Sequence, residues 1–221
     1  MLISQLFEAD FDQYQLHSLS DPKTKEVTPV TNADHLVQII SNNCSDMVAA
    51  YRAADRVLLR GAGSSEDSFV TNIRPDRYPV QMDSAAHEDL HLAFLKLGLT
   101  ATRKNSIFCT TNYGIARSWG SSIYAIFVKD GWTGTVFSEH KIGYSFHAME
   151  KIARYPDLGK MLNKLKQQGP ISFNDPIGLT KVLAQKYEDI IITGSSYIGI
   201  RLGTSLCFNV LDKLDIKSRN I

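Results

Sequence analysis

Apolar positions change texture about a quarter of the way along the chain. Residues 1–19 carry Leu2, Ile3, Leu6, Phe7, Phe11 and Tyr14 at helix-like spacing, the stripe of a helix that lies on a larger body. The polar stretch 20–29 reads as a loop. Asn32 or Asp34 then caps a helical run holding Leu36, Val37, Ile39, Ile40, Val48 and Tyr51, broken or kinked around residues 42–45. From Arg56 onward, short buried strands take over. Residues 57–61 form a strand that runs into a Gly/Ser loop at 62–65, and 83–97 form a helix with Leu90, Phe94 and Leu97 on one face, stopped at Gly98. Residues 106–111 and 123–128 read as strands on either side of a short helix at 113–119.

Three helices follow at 144–152, 158–165 and 177–184, divided by Pro156 and by Gly169-Pro170. Strands return at 189–193, 197–200 and 206–210, with turns at 194–196 and 202–204. Elements grouped in this way, rather than strictly alternating, predict an α+β fold with a mixed or antiparallel sheet. Residues 1–55 are expected to be an N-terminal helical appendage on a core spanning 56–221.

Composition narrows the class without choosing a partner. The 221 residues are 43% hydrophobic and 21% charged, enough apolar side chain for a sizeable core and too little net polarity for disorder. Lys+Arg 24 against Asp+Glu 23 leaves a net charge of +1, so no global nucleic-acid footprint shows. A local basic patch from Arg74, Arg77, Arg103 and Lys104 remains compatible with that total. No apolar run approaches the ~20 residues of a membrane span. The first residues meet Glu8 and Asp10 without a basic segment before them, so a cytoplasmic location is expected. Cys44, Cys109 and Cys207 are odd in number and widely spaced, which suits buried free thiols better than a disulfide framework or a metal site.

His87-Glu88-Asp89-Leu90-His91 matches HExxH, the helix pattern in which two histidines one turn apart bind zinc and the glutamate serves as general base. The sequence supplies no third ligand nearby: residues 92–98 contain no HxxGxxH continuation, and no Asp or Glu lies between His91 and Asp130. A zinc-dependent hydrolase is therefore a competing reading, and no metal is expected.

A second constellation is spread along the chain. Leu59-Arg60-Gly61 ends one strand, Phe108-Cys109-Thr110-Thr111 ends another and is followed by Ala116 and by Trp119-Gly120, and Glu188-Asp189 precedes the apolar run 190–192. This order resembles the Arg-Ser-Glu class of mono-ADP-ribosyltransferases over about residues 56–210. The stretch 103–111, with Arg77-Tyr78-Pro79 and His87 before it, is similar to uncharacterised phage-encoded proteins of that layout. The resemblance implies an ADP-ribosyltransferase-like catalytic core that takes NAD as a substrate. It would transfer ADP-ribose to a macromolecular acceptor, protein or nucleic acid, among host components.

The chemistry gives each residue type a reason. Breaking the nicotinamide–ribose bond builds positive charge on the ribose, and a carboxylate beside it stabilises that state. The resemblance assigns this role to Glu188 or Asp189, with a hydrogen bond to the ribose 2′-hydroxyl. A strand-end Arg60 holds phosphate or ribose oxygens through its rigid fork of donors. The resemblance further gives Thr110 or Thr111 the orienting hydroxyl, with Cys109 standing where the first Ser of Ser-Thr-Ser would be, and gives backbone groups near Gly61 the nicotinamide amide. Asp189 directly precedes the strand but is one methylene shorter than Glu188, which lies one residue earlier; neighbours on a strand face opposite sides, so one of the two faces the cleft. The positions two before are Tyr187 and Lys186, not the acidic residue that often activates an arginine acceptor, so a non-catalytic interaction or virion protein that keeps the fold is a further alternative.

Overall fold

The computed structural model describes residues 28–77, 83–137, 157–185, 187 and 189–217. The helices expected at 1–19 and 144–152, and Glu188, lie outside the described residues. Within them the chain is α+β, with nine strands in two antiparallel sheets and seven helices. The strands are β1 (Thr28–Pro29), β2 (Leu59–Ala62), β3 (Ser68–Asn72), β4 (Ile107–Cys109), β5 (Ser122–Val128), β6 (Thr133–Phe137), β7 (Pro170–Phe173), β8 (Ile190–Thr193) and β9 (Ser196–Arg201). The helices are α1 (Ala33–Asn43), α2 (Ser45–Ala54), α3 (Ser84–Lys96), α4 (Tyr113–Ser118), α5 (Leu158–Gln167), α6 (Pro176–Ala184) and α7 (Ser205–Lys213).

Sheet one runs β1-β3-β9-β5-β2 and sheet two runs β4-β8-β6-β7. They are joined where β2 meets the end of β4: the Leu59 amide donates to the Thr110 carbonyl at 2.7 Å, and the Thr110 amide returns a bond to Leu59 at 2.9 Å. A larger core draws on both sheets and a smaller one forms between α3, α5 and sheet two, gathering Leu90, Phe94, Phe108, Met161, Leu165 and Ile191. The helices expected as an appendage share the larger core: Leu36, Ile40, Met47 and Tyr51 are fully buried with Leu58, Phe127 and Ile198. Tyr51 settles its polar end by donating to the Ile126 carbonyl while its ring packs edge-on to Phe127.

Local chemistry explains most boundaries. Asn32, Asp83, Asn112, Asp157, Asp175 and Thr204 each accept from an amide in the first turn of the helix they precede, relieving donors that helix geometry leaves orphaned. The break expected near residue 44 is real, and Asp130 makes it: its carboxylate accepts from the Ser45 amide and hydroxyl and from the Asp46 amide, starting α2 anew.

Two expectations change. Residues 206–210 are part of helix α7 rather than a strand. Leu206, Cys207, Val210 and Leu211 are buried at helical spacing, Phe208 is exposed, and Thr204 caps the start. Strands β1, within the stretch expected as a loop, β3, β6 and β7 escape the apolar pattern, because each is short and the last three pair through a glycine beneath an aromatic ring. Phe173 of β7 lies opposite Gly134 of β6, and Phe69 of β3 lies opposite Gly199 of β9; a Cβ on either glycine would meet the ring at 2.1 or 2.5 Å. No helix among the described residues is long and apolar enough to cross a membrane.

Candidate functional site

Three segments distant in sequence meet at Thr110. Its backbone closes the bridge to Leu59, which carries Arg60 on the next position of β2. Its hydroxyl accepts from the Asn112 amide at 3.0 Å and faces the Tyr187 carbonyl at 3.5 Å, two residues before Asp189 in the sequence. The β4–β8 ladder ends on the pair Cys109–Ile190, so Thr110 and Asp189 are the immediate continuations of its two strands. Arg60 reaches into the same region, its Nη1 donating to the Phe108 carbonyl at 2.8 Å. Arg60, which is the second residue of β2 rather than the end of a strand as expected, the threonine pair and the segment before β8 are thus brought together.

Individual placements refine the expected roles. Thr110 and Thr111 are both buried. Cys109 is wholly buried among the larger core, and burial pushes its thiol up to about 12 despite the opposing charge of Arg60, so its role is packing rather than nucleophilic chemistry. Cys44 and Cys207 are also free and buried. Gly61 has a packing reason to be glycine, since a Cβ there would stand 2.0 Å from the Ala116 carbonyl oxygen. Asp189 is half-buried, and the alternation of β8 gives it the side of Ile191, the partner of Phe108 across the ladder.

Phe108 marks a feature the motifs alone did not reveal. The guanidinium of Arg77 stacks on its ring at 5.4 Å from the centroid and that of Arg103 at 5.5 Å. Arg77 also donates from Nη1 to the Ser106 carbonyl at 2.6 Å. Its pKa falls to about 10, first through burial and then through the charge of Arg60, with Arg103 and Arg74 adding to the effect and Tyr197 opposing it. Arginine keeps its proton at neutral pH, so the shift expresses first the burial of this cation and then the like charges beside it. Tyr197, buried between them, has its hydroxyl pKa raised by burial and drawn back by Arg60 and Arg77. The expected basic patch therefore divides: Lys104 pairs with Glu88 at 2.7 Å and Arg74 approaches Asp76 at 3.9 Å, while Arg77 and Arg103 both lie over the Phe108 ring.

The HExxH residues face different partners. On α3, His87 donates from Nε2 to the Arg77 carbonyl at 3.0 Å, His91 Nδ1 is hydrogen-bonded with the Thr102 hydroxyl at 2.9 Å, and Glu88 holds Lys104. They brace the loops at 77 and 102–104 against the helix. Among the described residues no three His, Cys, Asp or Glu side chains are grouped to hold a metal ion.

Burial is the first cause that lowers both histidines below their ordinary value of 6.5; Arg103 also lowers His87 and Lys104 also lowers His91, against Glu88 and, at His87, the Arg77 carbonyl. The unfolded chain thus binds more protons near pH 6, and the stabilisation is complete above 6.5 and lost as pH falls through the lowered folded values. Thermal melts between about pH 7.5 and about pH 5.5 are expected to show a declining Tm that flattens in the His87→Gln/His91→Gln variant. An equally steep decline in the variant would sink this assignment.

Comparison of the chain with protein-family models, with curated proteins and with solved structures finds no match.

Proposed function

We propose that this chain is an ADP-ribosyltransferase-like protein that binds NAD and transfers its ADP-ribose to a macromolecular acceptor. The observation that carries the reading is the convergence at Thr110 of Arg60, the threonine pair and the segment holding Glu188 and Asp189, three short motifs that the sequence keeps 50 to 80 residues apart. Antiparallel sheets joined at the motif-bearing strands β2 and β4 agree with such a core.

In this reading Arg60 engages phosphate or ribose oxygens with the donors not spent on the Phe108 carbonyl. A buried threonine hydroxyl orients the carboxylate. The carboxylate of Asp189 or Glu188 stabilises the ribose as its C1′–N bond breaks. Nicotinamide leaves with the bonding pair, which neutralises its ring; the acceptor's lone pair then forms the new bond at C1′ as the acceptor gives up a proton. The half-burial of Asp189 strengthens its field at the ribose relative to water.

Nicotinamide release from NAD by the purified protein, with a bacterial lysate as acceptor, tests the proposal. Release that the Glu188→Gln/Asp189→Asn double variant loses is the expected result. Absence of both release and calorimetric NAD binding would overturn it and leave a non-catalytic binding protein as the better reading.

A further inference from the structure

We propose that the end of sheet two that carries Asp189 is a docking surface for single-stranded nucleic acid, with Tyr113 stacking on a base and Lys96, Lys164 and Lys166 meeting the phosphates. The surface rests on the register of sheet two and on the exposure of those side chains. That the docked strand is the acceptor of ADP-ribose rests on the preceding reading.

The register fixes which residues share that end. Phe137 of β6 pairs with Pro170 of β7, and the β6–β8 pairing of Thr135 with Ile191, continued by two residues, sets Phe137 beside Asp189. The β4–β8 ladder, continued past Cys109–Ile190, sets Thr110 on the other side of Asp189. Residues 110, 189, 137 and 170 therefore form one row across four strands, about 14 Å wide at three inter-strand spacings. Two helices run toward this row. Helix α3 starts at the opposite end of the sheet, where His87 meets the Arg77 carbonyl and Arg77 meets that of Ser106, and its last turn reaches Phe137, whose ring lies 5.7 Å from that of Phe94. Helix α5 is joined to Pro170 by Gln168 and Gly169 alone, so its last turn stands at the same end. At the far side of the row, Tyr113 follows Thr110 by three residues.

The side chains at these positions suit a polyanion with unpaired rings. The last turns bear Lys96 on α3 and Lys164 and Lys166 on α5, all exposed. Among the described residues no carboxylate pairs with these three, whereas Lys104, Lys160 and Lys213 each have one. Tyr113 is 53% exposed. Asp189 is the one carboxylate in the row; it is half-buried and stands between the aromatic and the lysines. Cations in a last helical turn also offset the helix dipole, but that role asks nothing of an exposed aromatic on the other side of Asp189. Lysines for phosphates and an aromatic face for a base are the pairing that single strands use, and a duplex keeps its bases stacked out of reach. An acidic peptide would match the charge and leave the ring unused.

Fluorescence anisotropy of the intact chain with labelled single-stranded DNA and RNA of about 12 nucleotides, within the usual site sizes, tests the surface. The same sequence as a duplex and a glutamate-rich peptide are the comparators. A single strand is expected to bind most tightly, with log affinity falling by about 2 per tenfold rise in salt for three phosphate contacts. Tyr113→Ala is expected to weaken binding about tenfold, the loss of one base stack, while Tyr113→Phe stays close to the parent. The Lys96→Gln/Lys164→Gln/Lys166→Gln variant is expected to bind more weakly and with a flatter salt dependence, whereas a dipole role alone predicts a lower Tm and unchanged binding. Should that variant melt early, the two Tyr113 variants decide. No binding of a single strand, tighter binding of the duplex or the peptide, or equal binding by the variants overturns the surface. The two readings separate: a strand bound through Tyr113 by a chain that releases no nicotinamide from NAD keeps the surface and removes the transferase, and nicotinamide release without strand binding does the reverse.

Discussion

Replacing Asp189 by Asn is expected to cut nicotinamide release from NAD roughly a hundredfold or more while NAD binding and Tm remain. The substitution keeps the side chain's shape and removes only its charge, so a packing role predicts little change. A role opposite a developing positive ribose predicts loss of the chemical step alone. Asp189 follows the alternation of β8 onto the side of Ile191 and Phe108, where the Arg77 and Arg103 guanidiniums lie, and it continues the strand directly past the Cys109–Ile190 pair. Glu188→Gln is the companion measurement. One of the two variants is expected to carry most of the loss. Full turnover in both would remove the carboxylate from the mechanism, and a matching loss of Tm would make it structural.

How far the sequence foretells this arrangement depends on whether a feature is local. Helices with a capping residue and a clean apolar face are legible: Asp83 and the stripe Leu90–Phe94 predict α3 to within a residue at each end. The run 206–210 misleads because Leu206, Cys207 and Phe208 are consecutive and apolar, a pattern that a buried strand shares with the shoulder of an amphipathic helix; Thr204 is the distinguishing signal. Strand β7 opens with a proline, which a sheet tolerates only at an edge or strand start, and it is one of the two edge strands of sheet two. The motif residues Arg60, Thr110, Thr111 and Asp189 can be named one by one, yet their meeting rests on a single inter-sheet bridge that no periodicity encodes. Arg77 illustrates the limit best. In the sequence it is one basic residue in an irregular loop, and only the register of β4 sets its anchoring carbonyl two residues from that of Arg60.

Gly61→Ala is expected to destabilise the protein by about 1–3 kcal/mol, the usual cost of forcing a methyl into a filled site, which lowers Tm by roughly 2–4 °C per kcal/mol for a chain this long. The added Cβ would stand 2.0 Å from the Ala116 carbonyl oxygen and 2.8 Å from the Gly120 amide nitrogen, both backbone atoms that no rotamer change can move. Gly120 meets β2 at the same contact, where its own Cβ would fall 2.4 Å from the Ala62 nitrogen, so Gly120→Ala should cost a similar amount. Gly63, where an added methyl would have nothing within 4 Å, is the control: Gly63→Ala should leave Tm nearly unchanged. The consequence extends to the site because α4 begins directly after Thr111, capped by Asn112, whose own amide donates to the Thr110 hydroxyl. Pushing α4 away from β2 therefore drags the threonine pair away from Arg60. Gly61→Ala should lose NAD turnover in proportion to its loss of stability and regain it in a stabilised background. A Gly61→Ala protein with unchanged Tm and lost NAD binding would instead mean that Gly61 meets the ligand itself.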